Sequence, residues 1–245
     1  MIRWLLCLLL LTSYSGGEVP LPLLLEGFLS GSIEKYDESE GEEVPSGKVA
    51  YLTVDDGPSE AVTVRILDIL RDEGIKATFF VLPYEGMDHI YERILSEGHA
   101  MGNHSYSHDY RRLYGADEGA FFREDILRME GYLRERFGYE TDLFRFPGGS
   151  ASWSPRTIAR RVEILEELGY RHFDWDASTG DTDPSPAGRD PNALVSNVMA
   201  RTSSRDKLIV LMHDSAGKSA TAEALPEMIS RLRAEGYGFD TLDNY

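Results

Sequence analysis

From residue 48 to residue 245, apolar runs of strand length alternate with segments whose apolar residues recur at helical spacing. No other feature of the chain limits the fold as much. Residues 48–54, 76–82, 98–103, 143–146, 170–175, 207–212 and 237–242 read as strands. Between them, Val62, Ile66, Leu67, Ile69 and Leu70 mark a helix closed by Gly74, and residues 89–96 a second. Phe121, Phe122, Ile126, Met129, Leu133 and Phe137 mark a third that stops at Gly138. Residues 154–168, 192–202 and 220–234 complete the set. Such alternation requires parallel strands joined by crossover helices, hence an α/β fold. About seven units in roughly 200 residues favour a barrel over an open doubly wound sheet, although the pattern alone does not choose between them. A dinucleotide fold is disfavoured, because Gly57 is followed at once by Pro58 where a glycine fingerprint would stand.

The first 47 residues have a different character. Arg3 precedes an apolar run from Trp4 to Leu11, and Ser13 and Ser15 flank a cleavage point, so residues 1–17 read as a signal peptide. The run is too short for the roughly 20 residues of a membrane span. Export is the expectation: a secreted, periplasmic or wall-associated protein. Residues 18–47 carry eight acidic side chains against one Lys, with Gly, Ser and Pro between, and read as an acidic flexible linker. Residues 48–245 then form one folded domain.

Charge and cysteine usage narrow the chemistry. The 42 acidic and 25 basic residues leave a formal charge of −17, which argues against a nucleic-acid binder that works through counterion release. Cys7 is the sole cysteine, so neither a disulfide framework nor a cysteine zinc site is available. Any transition metal falls to His, Asp and Glu.

In a (β/α) barrel, reactive groups come from the carboxyl ends of strands. Those junctions read Thr53-Val54-Asp55-Asp56-Gly57-Pro58, then His104-Ser105-Tyr106-Ser107-His108, then Arg145-Phe146-Pro147-Gly148-Gly149. The segment from Trp175 to Asp181 and the sequence Leu211-Met212-His213-Asp214 follow. Singly, each has an ordinary reading. Asp55-Asp56 before Gly-Pro makes a turn, His104 and His108 a helix surface, His213 a core histidine, Arg145 a surface residue. Jointly they say more. Adjacent carboxylates crowd like charges unless a cation is near. Two imidazoles at i, i+4 share one face of a helix and, with an Asp, make a two-His-one-carboxylate metal set.

TVDDGP, HSYSH, RFPGG, WDASTGD and LMH, in that order, resemble the five motifs of the polysaccharide deacetylases (NodB-homology domain, carbohydrate esterase family 4). The resemblance covers residues 48–245. It implies a distorted (β/α) barrel of about seven parallel strands and a divalent metal, zinc first and cobalt as an alternative. The implied reaction is hydrolysis of the linear amide C–N bond of N-acetyl groups on a β-linked sugar polymer. Carried over, Asp56, His104 and His108 would bind the metal. Asp55 would be the general base, oriented by Arg145, and His213 the general acid with Asp181 as its partner. The Gly148 N–H would help hold the oxyanion, and Leu211 and Trp175 would wall the acetyl pocket.

Three positions depart from the family pattern: Val54 and Gly148, where Phe and Tyr are common, and Thr182, where Trp often follows the Asp. Trp175 or Trp153 is then the candidate for the missing wall. Export and the WDASTGD segment point to peptidoglycan, with chitin oligomers or acetylated xylan as alternatives and a silent wall-binding module as the rival from another class. The partner implied is cell-wall glycan, with no protein partner. His89, His99 and His172 match no motif and read as ordinary residues. Tyr106, Tyr110 and Tyr114 read as packing around a loop, with sugar stacking as the other reading.

Overall fold

Strand β1 (Lys48–Asp55) forms the centre of the sheet, and its last six residues are buried on both faces as a central parallel strand demands. The computed structural model describes residues 47–245, so the expected signal peptide and acidic linker lie outside the described residues. Around β1 run β2 (Thr78–Val81), β3 (Ala100–Asn103), β4 (Leu143–Phe144), β5 (Arg171–His172), β6 (Ala177–Ser178), β7 (Lys207–His213) and β8 (Tyr237–Phe239). The order is β5-β4-β3-β2-β1-β7-β6, with β8 beside the first half of β1, and every pairing is parallel.

The two edge strands are consecutive in sequence, and this curls the sheet. Laid flat, β5 and β6 would stand about 29 Å apart at six spacings of about 4.8 Å. The five steps from His172 to Ala177 can cover about 17 Å at most. The sheet must therefore roll into a barrel, left unpaired along one seam between β5 and β6. Here the structure revises one strand: residues 170–175 do not form a single strand but end β5 at one edge and cross to β6 at the other.

Alternation along the strands sorts side chains into two cores. Leu52, Val54, Phe79, Val81, Leu208, Val210 and Met212 face outward beneath the helices. Tyr51, Phe80, Ala100, Leu143 and Ile209 fill the barrel interior. The helices are α1 (Thr63–Asp72), α2 (Asp88–Ser96), α3 (Tyr110–Leu113), α4 (Ala120–Phe137), α5 (Pro155–Leu168), α6 (Pro191–Met199) and α7 (Ser219–Ala234). In α4, Phe122, Ile126, Met129 and Leu133 form the buried stripe, and Gly138 ends it at φ 60°, a left-handed conformation that glycine adopts without steric cost. Ser154 caps α5 by accepting from the Thr157 N–H, with Pro155 in the first turn. Among the described residues no helix is long and apolar enough to cross a membrane.

Candidate active site

The carboxyl ends of β1, β3, β4, β6 and β7 converge on one mouth of the barrel. Asp56 follows β1 at φ 76°, outside the region ordinary residues prefer. That backbone turn aims its Oδ1 at both imidazoles: 3.4 Å from His104 Nε2 and 3.3 Å from His108 Nε2. Burial pushes the Asp56 carboxyl up, but the two imidazoles that face it outweigh burial and hold the group far below the usual carboxylate range.

The two histidines meet by a route other than the expected one. Residues 104–108 form no helix; the chain turns, with Ser105 at φ 72° and His108 at φ 50°. Three buried groups hold this turn. Asn103 Oδ1 accepts from the Ser105 N–H at 2.9 Å, and Asp125 Oδ2, from α4, accepts from the Tyr106 and Ser107 N–H groups at 2.7 and 3.1 Å. The Ser105 hydroxyl accepts from the His108 N–H at 3.1 Å.

The donor atoms of Asp56, His104 and His108 all lie within 4.8 Å of one another. Ligands about 2.0–2.1 Å from a tetrahedral zinc would stand about 3.3–3.4 Å apart, close to the separations seen here. His104 Nδ1 lies 3.0 Å from the Arg145 carbonyl, which can only accept, so that nitrogen carries the proton. In a neutral ring the Nε2 lone pair then faces the Asp56 carboxylate, an arrangement that calls for a cation between them. The residues present fit a divalent ion.

Flanking this cluster are two further pairs. Arg145, fully buried just past β4, donates through Nη1 to Asp55 Oδ1 at 2.9 Å and to Thr53 Oγ1 at 2.6 Å. Its Nε and Nη2 donate to the carbonyls of Phe173 and Asp174 at 2.9 and 3.3 Å. One Asp55 oxygen is thereby committed, and the other, Oδ2, stands 3.8 Å from His104 Nε2. On the next strand His213 is the direct register partner of Asp55. Its Nδ1 lies 2.8 Å from Asp181 Oδ1, leaving Nε2 as the free ring nitrogen. Asp181 Oδ2 accepts from the His213 N–H at 2.8 Å and the Thr221 hydroxyl at 2.7 Å. Burial pushes His213 down, but the hydrogen bond and charge of Asp181 overcome it and raise the imidazole above its ordinary value. Burial likewise pushes Asp181 up, yet its bond to His213 holds it below the usual range.

The remaining expected residues take simpler places. Gly148 opens a turn at φ 77°, whose closing bond is made by the Gly149 N–H to the Phe146 carbonyl at 2.8 Å. Trp175 lies against that turn: a Cβ on Gly149 would come within 2.6 Å of its ring. Gly148, Gly149, Ser152, Asp174 and Trp175 line a cavity of about 220 Å³. Leu211 is buried on β7, opposite Thr53.

Several supporting residues were given no role in the sequence: Asn103, Asp125 and Thr221, which lie outside the motifs, and Thr53 and Asp214, which stand at the strand-end segments themselves. Asp214 is fully buried. It packs its carboxyl against Gly57, accepts from the Thr63 hydroxyl at 2.6 Å, and is pushed by burial up to about 7. A carboxylate one residue past an expected acid was the available signal for Asp214, and the start of TVDDGP that for Thr53; nothing local marked Asn103, Asp125 or Thr221. His99, His89 and His172 stand apart from the cluster. His99 is buried and accepts from the Ala77 N–H through Nδ1, while His89 and His172 are exposed.

A half-open parallel barrel with a two-His-one-Asp cluster at its carboxyl mouth, a buried carboxylate on one side and a His–Asp pair on the other, has the parts of a metal-assisted hydrolase. The sequence model of the polysaccharide deacetylase family matches residues 42–173. The chain is 35% identical over 201 residues to the putative polysaccharide deacetylase YheN of Bacillus subtilis, covering 80% of this chain and 68% of that protein. It is 32% identical over 206 residues to the peptidoglycan-N-acetylglucosamine deacetylase PgdA of Listeria monocytogenes, covering 82% of this chain but only 40% of the relative. The crystal structure of the catalytic domain of peptidoglycan N-acetylglucosamine deacetylase from Eubacterium rectale superposes with a TM-score of 0.71 at 31% identity, over 81% of this chain and 90% of that one. The chain belongs to the polysaccharide deacetylase family.

Proposed function

We propose that the protein is an exported, metal-dependent deacetylase that removes N-acetyl groups from a β-linked amino-sugar polymer, with peptidoglycan as the substrate. The observation that carries the reading is the direct register of Asp55 with His213, beside the Asp56–His104–His108 cluster. A mere binder needs neither a free carboxylate oxygen nor a free imidazole nitrogen at that place. The names of the relatives from Listeria and Eubacterium support peptidoglycan, and the character of residues 1–17 supports export.

An amide carbonyl is a poor electrophile and an amine a poor leaving group, so both ends of the bond need help. A divalent ion held by Asp56, His104 and His108, zinc by the nature of the donor set and cobalt as the alternative, would polarise the acetyl carbonyl and acidify water. The chain's own residues supply the proton transfers. Asp55, one oxygen held by Arg145, takes the proton of the attacking water through Oδ2. His213, its imidazole raised by the hydrogen bond and charge of Asp181, gives a proton from Nε2 to the departing amine. The Gly148 N–H is the backbone donor for the oxyanion, and Trp175 with Leu211 walls the methyl.

The test is acetate release from an N-acetylglucosamine tetramer and from purified cell wall. Acetate should appear, stop on chelation and return with zinc. Binding without acetate at saturating zinc would leave a wall-binding module in its place. Mass spectrometry of the secreted protein should place the mature N-terminus beyond Ser15.

A further inference from the structure

The segment after His108 builds an aromatic surface that loop packing does not account for. Asp109 caps the short helix α3 by accepting from the Arg111 and Arg112 N–H groups, and so fixes the direction of Tyr110 at its start. The Tyr110 ring stands 5.1 Å from that of His108 and lies over Gly148, where a Cβ would meet Tyr110 Cε1 at 3.2 Å. Behind it, Tyr114 and Trp153 stack at 3.9 Å with planes 20° apart, and the Tyr114 hydroxyl donates to the Pro147 carbonyl at 2.9 Å. Tyr110 is stacked on Tyr114 at 6.5 Å, again 20° from parallel, and is 5.8 Å from Trp153. Two rings are therefore half-buried and held in place, while the third, Tyr110, keeps 40% of its surface open at the mouth of the site.

A flat ring braced from behind and open in front matches one chemistry. A pyranose presents an apolar face of C–H bonds edged by hydroxyls, and an aromatic ring covers such a face while its polar tip reaches the rim. The shelf begins beside a residue of the metal cluster, so a sugar on it would neighbour the one whose acetyl group reaches Asp55 and His213.

We propose that Tyr110, braced by Tyr114 and Trp153, is a stacking platform for the sugar ring adjoining the acetylated one, and that it makes the site favour oligomers over small acetyl compounds. The proposal rests on the deacetylase reading above, and its test separates the two. In the Asp55→Asn background, binding of the N-acetylglucosamine tetramer is measured by calorimetry with Tyr110 intact and as Tyr110→Leu, Tyr110→Ser and Tyr110→Phe. Leu and Ser should weaken binding about tenfold, the loss of one aromatic contact, and Phe should restore it. In the active protein, the same two substitutions should raise KM for the tetramer about tenfold more than KM for 4-nitrophenyl acetate. Equal tetramer affinity in all four proteins, or equal losses on both substrates, would overturn the platform. Absence of acetate release by the unmodified protein, with tetramer binding still dependent on Tyr110, would overturn the deacetylase reading and leave the platform standing.

Discussion

Asp55 and Asp56 are adjacent in sequence, and the opposite tasks proposed for them rest on their neighbours. Asp56 faces two imidazoles, whereas Asp55 is tied to a guanidinium. Asp55→Asn should therefore keep its metal while turnover falls by about 10²–10⁴-fold, and His104→Ala should lose the metal. Metal analysis beside acetate release checks both, and equal metal loss in the two would contradict the assignment. Asp181 sets the working range of His213. An acid must be protonated to act, so activity should fall as pH rises through the raised His213 value. Asp181→Asn removes the raising interaction and should shift that alkaline limb to lower pH in a kcat profile. His99 acts on stability instead. Burial, then the charge of Lys76, pushes it down to about 4. Its folded value is depressed, so its contribution is complete above about 6.5, the unfolded value, and is lost as pH falls toward 4. The gap is about 3 kcal/mol. Urea unfolding of His99→Gln against the unmodified chain should show their difference changing by about that amount between pH 7 and 4. A constant difference would rule out the buried neutral ring.

At the level of elements, what could be read in the sequence was what repeats. The helix stripes of α1, α4 and α7, the stops at Gly138 and Gly169, and the apolar strands β1 and β7 follow from periodicity, and the structure holds them close to their expected limits. Short pieces escaped. β6 is two residues long and α3 four, too brief for any period to register. The candidate site was legible because its groups sit in motifs at strand ends, but the means of bringing them together was not. His104 and His108 share no helix face; they meet through positive φ angles and the acceptors on Asn103 and Asp125, which lie outside the motif or on another element. This makes Asp125 a residue of α4 that works for a neighbouring loop. Asp125→Ala should weaken zinc affinity about 10–100-fold in a competition titration while leaving all three ligands in place. Unchanged affinity would mean that the turn holds itself.

For the molecule as a whole, the seam between β5 and β6 is the organising fact. Four residues cross it, and they do so carrying Asp174 and Trp175 to the site, with the carbonyls of Phe173 and Asp174 serving as acceptors for Arg145. One buried side chain thus joins Asp55 to the gap in the wall. Inserting a single Gly between Phe173 and Asp174 should lower Tm by several degrees and abolish acetate release, whereas the same insertion after the exposed Glu140 should do neither. Equal tolerance at both places would show that the crossing bears no such constraint. Because Arg145 grips the crossing with one side of its guanidinium and Asp55 with the other, any displacement of the crossing would also tug on that carboxylate. Movement at the seam and the position of the carboxylate are thus mechanically linked, a property that an uninterrupted ring of strands would not confer.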